Sequence, residues 1–257
     1  VTFETGIANF ITAVFDTANN KVVFSYANGG NSDQPTCIVG TVSGTSISFS
    51  TAVQLAVTGA TTGTQYTYST FDSTTNQVIV AYQDQGNSNY GTANVLNVSG
   101  PNTSSFIGIT DQAISSAATG KVVCKGGAIT NTGLLPFAPT GGTPVTVLAG
   151  ASYWRAVTYD TNSNKIVIAT RDDDGSNAGV AFVGTVSGTS ISFGSKVTFS
   201  AGASAYYAMC FDSSNNKVVI VYRDANNSNY GTAIVGTVSG TSISFGSPAV
   251  FESGAIS

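Results

Sequence analysis

Apolar and polar positions alternate along this chain in short runs, and every apolar run is stopped by a cluster of Asn, Asp, Ser, Thr or Gly. From Ala205 the order is "AYYAMCF", "DSSNN", "KVVIVYR", "DANNSNYG", "TAIVGTV", "SGTS" and "ISFGSPAVF". Runs rich in Val, Ile, Tyr and Phe read as strands, and the polar clusters between them read as turns. The pattern predicts four strands joined by three connections, a four-stranded antiparallel meander. Within it Val218, Ile220 and Tyr222 project to one face and Val219 and Val221 to the other. Both sets are apolar, which predicts a sheet covered on both sides. No stretch carries a convincing helical period.

The same grammar recurs. "VGTVSGTSISF" occurs three times without change, from Val39, Val183 and Val235. An aromatic-Asp pair opens a turn at Phe15, Phe71, Tyr159 and Phe211. Repeated four-stranded units of about 40–55 residues predict a β-propeller. The expected fold is therefore all-β, a single β-propeller domain over 1–257 built from four-stranded antiparallel blades. The repeats fall near 1–52, 53–109, 145–196 and 197–257. The stretch 110–144 lacks both landmarks but keeps strand-like runs, and it is expected to be a degenerate fifth blade; an insertion that is not a blade is the rival reading. "VTFETG" at Val1 aligns with "VTFSAG" at Val197 and "AVFESG" at Ala249. One outer-strand segment is thus to spare. Either the two ends share one blade's outer edge and close the ring, or the spare strand pairs with a neighbouring molecule.

Composition narrows the function. The chain is 42% hydrophobic and 10% aromatic, so a packed core is feasible despite its abundance of polar small residues. Charged residues are only 9% and the net charge is −4, which argues against a nucleic-acid partner. No apolar run approaches the roughly 20 residues of a membrane helix, so no membrane insertion is expected. The sequence starts at Val1 without a signal-like pattern, which suggests processing or excision from something longer. Cys37, Cys124 and Cys210 each lie in an apolar, strand-like run and read as small buried hydrophobes. With no His in the chain and no CxxC spacing, neither a metal site nor a cofactor is expected.

Meander topology puts the connections between second and third strands at the same end of the sheet as the starts of the first strands. That end gathers Asp84, Asn87, Asn89, Tyr90, Arg171, Asp172, Arg223, Asp224, Asn229 and Tyr230. Asn, Asp and Arg can together donate to and accept from sugar hydroxyls, and Tyr can stack on a sugar's apolar face. The same residues can also simply shape the loops. Arg171 and Arg223 occupy one repeat position and are expected to pair with their neighbours Asp172 and Asp224. Counting back from the aromatic-Asp turn gives an aromatic column, Phe10, Tyr66, Trp154 and Tyr206, which suits packing between blades or stacking on a ligand. "RDDDG" from Arg171 lacks the alternating acids of a calcium loop.

The pattern "FDSSNNKVVIVYRDANNSNYGTAIVGTVSGTSISFGSPAVF" resembles repeats in tail-fibre-like and other surface proteins of marine bacteriophages and prophages. The stretch Phe106 to Leu134 resembles a short module that accompanies them, here cut to "LLPFAPTGGTP" where the module usually continues. The resemblance covers nearly the whole chain and implies an extracellular or virion-surface role, often recognition of a cell-surface glycan or receptor. An enzyme is not expected. Glu4 and Glu252 are the only glutamates and lie in the terminal segments, no His is present for a relay, and no Asp-box accompanies the three arginines. The alternative to a recognition module is a structural building block of a surface fibre, a homo-oligomer or larger assembly joined through its terminal strands.

Overall fold

The computed structural model describes residues 1–55, 63–98, 139–174 and 176–255, with the backbone of 109–110 and 122–123. Among them the chain is strand nearly throughout, and its only helical segments are two three-residue 3-10 turns, Gly29–Asn31 and Gln85–Asn87. The fold is all-β and antiparallel, as the alternation predicts.

The first unit comprises β1 (Ala8–Asp16), β2 (Lys21–Asn28), β3 (Gln34–Ser43) and β4 (Ser46–Phe49), with β5 (Val53–Gln54) also paired to β3. The second has β6 (Thr64–Asp72), β7 (Gln77–Asp84) and β8 (Tyr90–Asn97). Two short strands, β9 (Ile109–Thr110) and β10 (Val122–Val123), pair with each other, and β11 (Thr140–Gly141) pairs with β8. The third unit has β12 (Val145–Asp160), β13 (Lys165–Asp172), β14 (Ala178–Ser187) and β15 (Ser190–Phe193). The fourth has β16 (Val197–Asp212), β17 (Lys217–Asp224), β18 (Tyr230–Ser239) and β19 (Ser242–Phe245), followed by β20 (Ala249–Ala255) on β18.

The two 16-residue strands show how units are joined. The first half of β16 pairs with β14 of the third unit, and its second half pairs with β17 of the fourth. β12 links β8 to β13 in the same way. One strand is thus the outer edge of one unit and the inner strand of the next. Inner strands pack in the order β1, β6, β12, β16, and the sheets do not close on themselves among the described residues. The second and third units are hydrogen-bonded and packed directly on each other; most of 110–144, where a degenerate blade is expected, lies outside the described residues.

Turn chemistry fixes each unit's register. Asp16, Asp72, Asp160 and Asp212 each accept hydrogen bonds from the two backbone amides two and three residues on, at 2.9–3.2 Å. The closing Asn20, Asn76, Asn164 and Asn216 take left-handed φ of 54–56°, which Asn tolerates better than most residues. At the same end, "SGTS" forms two-residue hairpins: Ser43 pairs Ser46, Ser187 pairs Ser190 and Ser239 pairs Ser242. Only the Gly of each has positive φ, as a II′ turn requires.

Among the described residues three clusters form the core, one at each junction between units. The outer strand contributes to each: Leu55 between the first and second units, Val147 with Leu148 between the second and third, and Phe199 between the third and fourth. Among the described residues the two end units have no such neighbour on one side. Ile11 and Phe15 on β1 are exposed, and so are Val235 on β18 and Phe251 on β20. This corrects two expectations. Val219 and Val221 are only half-buried, and Cys210 is exposed, whereas Cys37 is buried. Cys210 points away from the third unit, toward the side that a following unit would cover. Cys124 lies outside the described residues.

Candidate functional site

The connections between second and third strands share one end of the molecule with the starts of the inner strands, as the meander requires. Ser152 stands opposite Asp172, and the Asp173 amide donates to the Ala151 carbonyl at 3.1 Å. Each connection carries two successive left-handed residues: Ser32 and Asp33, Ser88 and Asn89, Ser176 and Asn177, Ser228 and Asn229.

Most of the expected loop residues build and anchor these connections. Asn89 and Asn229 hold the second left-handed position. The Asn89 carbonyl accepts the Ser152 amide of the next unit at 3.3 Å. Asn87 ends a 3-10 turn, Asp84 is buried at its base, and the Asp224 carboxylate accepts the Asn226 amide at 3.0 Å. Tyr90 and Tyr230 are half-buried where β8 and β18 begin.

The arginines depart from expectation. Arg171 pairs with Asp173, at 2.5 and 3.1 Å, while Asp172 pairs with Lys196 at 2.6 Å. Successive strand residues point to opposite faces, so the acid two residues on, rather than the adjacent one, shares the arginine's side. Arg223 has Ala225 at that place. Its guanidinium lies 4.6 Å from the centre of the Tyr206 ring, and its Nε is buried without a hydrogen-bond partner. Arg171 lies similarly over Tyr153, at 5.1 Å.

These contacts bring Arg171, Arg223 and Trp154 into one feature, an aromatic row across the inner strands. Ring centres of Phe10 and Tyr66 are 5.2 Å apart, Tyr66 and Trp154 5.3 Å, and Trp154 and Tyr206 4.2 Å. Each ring sits on a β-bulge, where two inner-strand residues oppose one on the neighbouring strand. Each of the four aromatics has left-handed φ, 51–56°. Glycine is the usual residue there; a bulky side chain costs about 1–3 kcal/mol, and such outliers cluster at functional sites. The rings pack on one another; Phe10 and Tyr206 at the two ends of the row are 40% and 44% exposed, and Tyr66 and Trp154 between them are half-buried. A cavity of about 170 Å³ opens between the first two units, walled by Phe10, Tyr66, Thr12 and Thr67.

Sequence reasoning found the aromatic column but not its bulges, nor the part played by Tyr153, Asp173 and Arg155. Arg155 follows Trp154 in the bulge, is fully buried and donates to the Ser152 carbonyl at 3.1 Å and to its hydroxyl. Burial pushes its guanidinium down to about 9, still charged at neutral pH. The i, i+2 rule on a strand would have found Asp173; nothing local signals a bulge that carries an aromatic instead of a glycine.

No protein-family model matches the chain, and no curated protein matches it. Among the described residues no helix is long and apolar enough to cross a membrane.

Proposed function

We propose that the protein is a non-enzymatic recognition module of an extracellular or virion surface, and that its units are blades of a β-propeller presenting the aromatic row to a cell-surface glycan. The observation that carries this reading is the row itself: four aromatics held in left-handed backbone on equivalent bulges, in mutual contact, with the two end rings exposed and the two middle ones half-buried. A core needing only apolar filling has no use for partly exposed rings on strained backbone. A glycan offers apolar ring faces for aromatic side chains and hydroxyls for Arg223 and the Asn-rich connections beside them.

A glycan array followed by titration of the best binders tests the reading. Trp154→Ala and Tyr206→Ala are expected to abolish array binding while each variant keeps its β-sheet spectrum. A receptor that is a protein rather than a glycan gives an empty array and overturns the assignment of ligand class.

A further inference from the structure

Among the described residues the chain repeats one interface three times, leaving one half of it open at the carboxyl-terminal end and the other half, at the amino-terminal end, covered by the chain's own first residues. Leu55, Val147, Phe199 and Phe251 occupy equivalent places in successive outer strands. Following units bury the first three, and Phe251 is 61% exposed. Beside it Val235, whose counterparts Val39 and Val183 are buried at 2% and 1%, is 45% exposed. What covers such a face is visible at the previous junction, where Phe199 packs against Tyr222 and Phe245 of the fourth unit at ring-centre distances of 5.4 and 5.7 Å.

The matching half lies at the other end. Tyr26 and Phe49 are the first unit's counterparts of Tyr222 and Phe245, and their seat is filled by the chain's own Phe3. Its ring lies 5.4 Å from Tyr26, 5.8 Å from Phe49 and 5.7 Å from Phe24. Glu4 accepts from the Tyr26 hydroxyl at 3.2 Å and from the Asn28 amide at 3.0 Å. Val1–Gly6 thus forms no strand pairing; it lies on the first unit as the end of a preceding unit would. β20, for its part, pairs within its own unit, so the two termini do not share an edge and Val1–Gly6 is the spare segment, paired with no strand.

The carboxyl-terminal segment is already shaped for that seat. The Glu252 carboxylate accepts the Gly254 amide at 2.6 Å, just as Glu4 accepts the Gly6 amide at 2.9 Å. We propose that the fourth unit of one copy docks on the first unit of a second copy. Phe251 and Glu252 replace Phe3 and Glu4 against Phe24, Tyr26, Phe49 and Asn28. The contact is heterologous, head to tail, and generates rings or filaments according to whether its rotation closes. It also sets Tyr206 of one copy beside Phe10 of the next, continuing the aromatic row. The inference stands independently of any glycan.

Sedimentation velocity of the full chain over a range of concentrations tests it, with Cys210 as a reporter because its thiol lies on the face that docking covers. Association is expected to rise with concentration and to slow Cys210 labelling, with a Cys210→Ser chain separating this signal from the other thiols. Phe251→Ser is expected to weaken association at least about tenfold, as loss of a buried aromatic anchor does. Deleting residues 1–6 is expected to strengthen it by freeing the seat. Phe251 is exposed in the single copy, so its variant folds normally by circular dichroism. A chain that stays monomeric at every concentration, with or without residues 1–6, overturns the proposal. So does association that survives Phe251→Ser, which would place the contact elsewhere. A monomer whose Cys210 is protected at all dilutions overturns it in favour of closure within one chain.

Discussion

Phe199 and Phe251 occupy equivalent positions on successive outer strands, over Gly179 and Gly231 respectively, yet Phe199 is 7% exposed and Phe251 61%. The difference comes from the presence or absence of a following unit. Phe199→Ala is therefore expected to cost about 3–5 kcal/mol of folding stability, the range for emptying an aromatic site in a core. Phe251→Ala should cost the single copy far less. Chemical denaturation at a concentration where the chain is monomeric compares the two, and equal losses would contradict the equivalence of the interfaces.

Gly179 is glycine because the ring sits on it. A Cβ there would lie 2.6 Å from the Phe199 ring, and the backbone is not left-handed, so the constraint is purely steric. Gly179→Ala is expected to destabilise by about 1–3 kcal/mol through overpacking. In urea the midpoint should fall while the slope stays unchanged.

Acid should loosen the Asp turns. Hydrogen bonds from Asn215, first its side-chain amide and then its backbone amide, hold the Asp212 carboxyl below its ordinary 3.8. A carboxyl depressed in the folded state takes up its proton more readily when unfolded. Its stabilisation is thus full above that ordinary value and is lost as pH falls through the folded value. Asp212→Asn should lower the melting temperature at neutral pH, and the gap to the parent should shrink on acidification below 3.8. A gap that does not change with pH would count against this account of the turn.

The two described thiols should differ sharply. Burial pushes Cys37 up to about 12, and it contacts Ser25 at 3.2 Å, whereas Cys210 is exposed. Thiolate is the reactive form. In a Cys124→Ser chain at low concentration, a thiol reagent should label Cys210 promptly and Cys37 only on unfolding. Rapid labelling of both would mean that the junction between the first and second units opens in the native state.

Much of this fold is legible in the sequence because it is written in local chemistry. Asp with Asn four residues on specifies each inner turn, "SGTS" specifies each hairpin, and alternation of Val, Ile and Tyr specifies the strands between them. What stays hidden depends on neighbours. Cys210 and Val219 sit in the same pattern as buried residues elsewhere, and only their place in the last unit exposes them. The left-handed Phe10, Tyr66, Trp154 and Tyr206 carry no glycine to announce a bulge; the column shows in the alignment of repeats, and its backbone only in three dimensions. The partner of Arg171 follows from strand geometry rather than from sequence adjacency.

Trp154 is the chain's one tryptophan and stands in the middle of the aromatic row, 4.2 Å from Tyr206, so its emission reports on the row and on the junction it packs against. The most direct test of the central claim is to follow that emission while titrating glycans selected on an array. The account predicts a saturable change in Trp154 fluorescence, and a Tyr206→Ala chain that needs at least about tenfold more ligand for the same change, since the ring face on which a sugar stacks is removed. Glycan binding that leaves Trp154 emission untouched, or that Tyr206→Ala does not weaken, would contradict it.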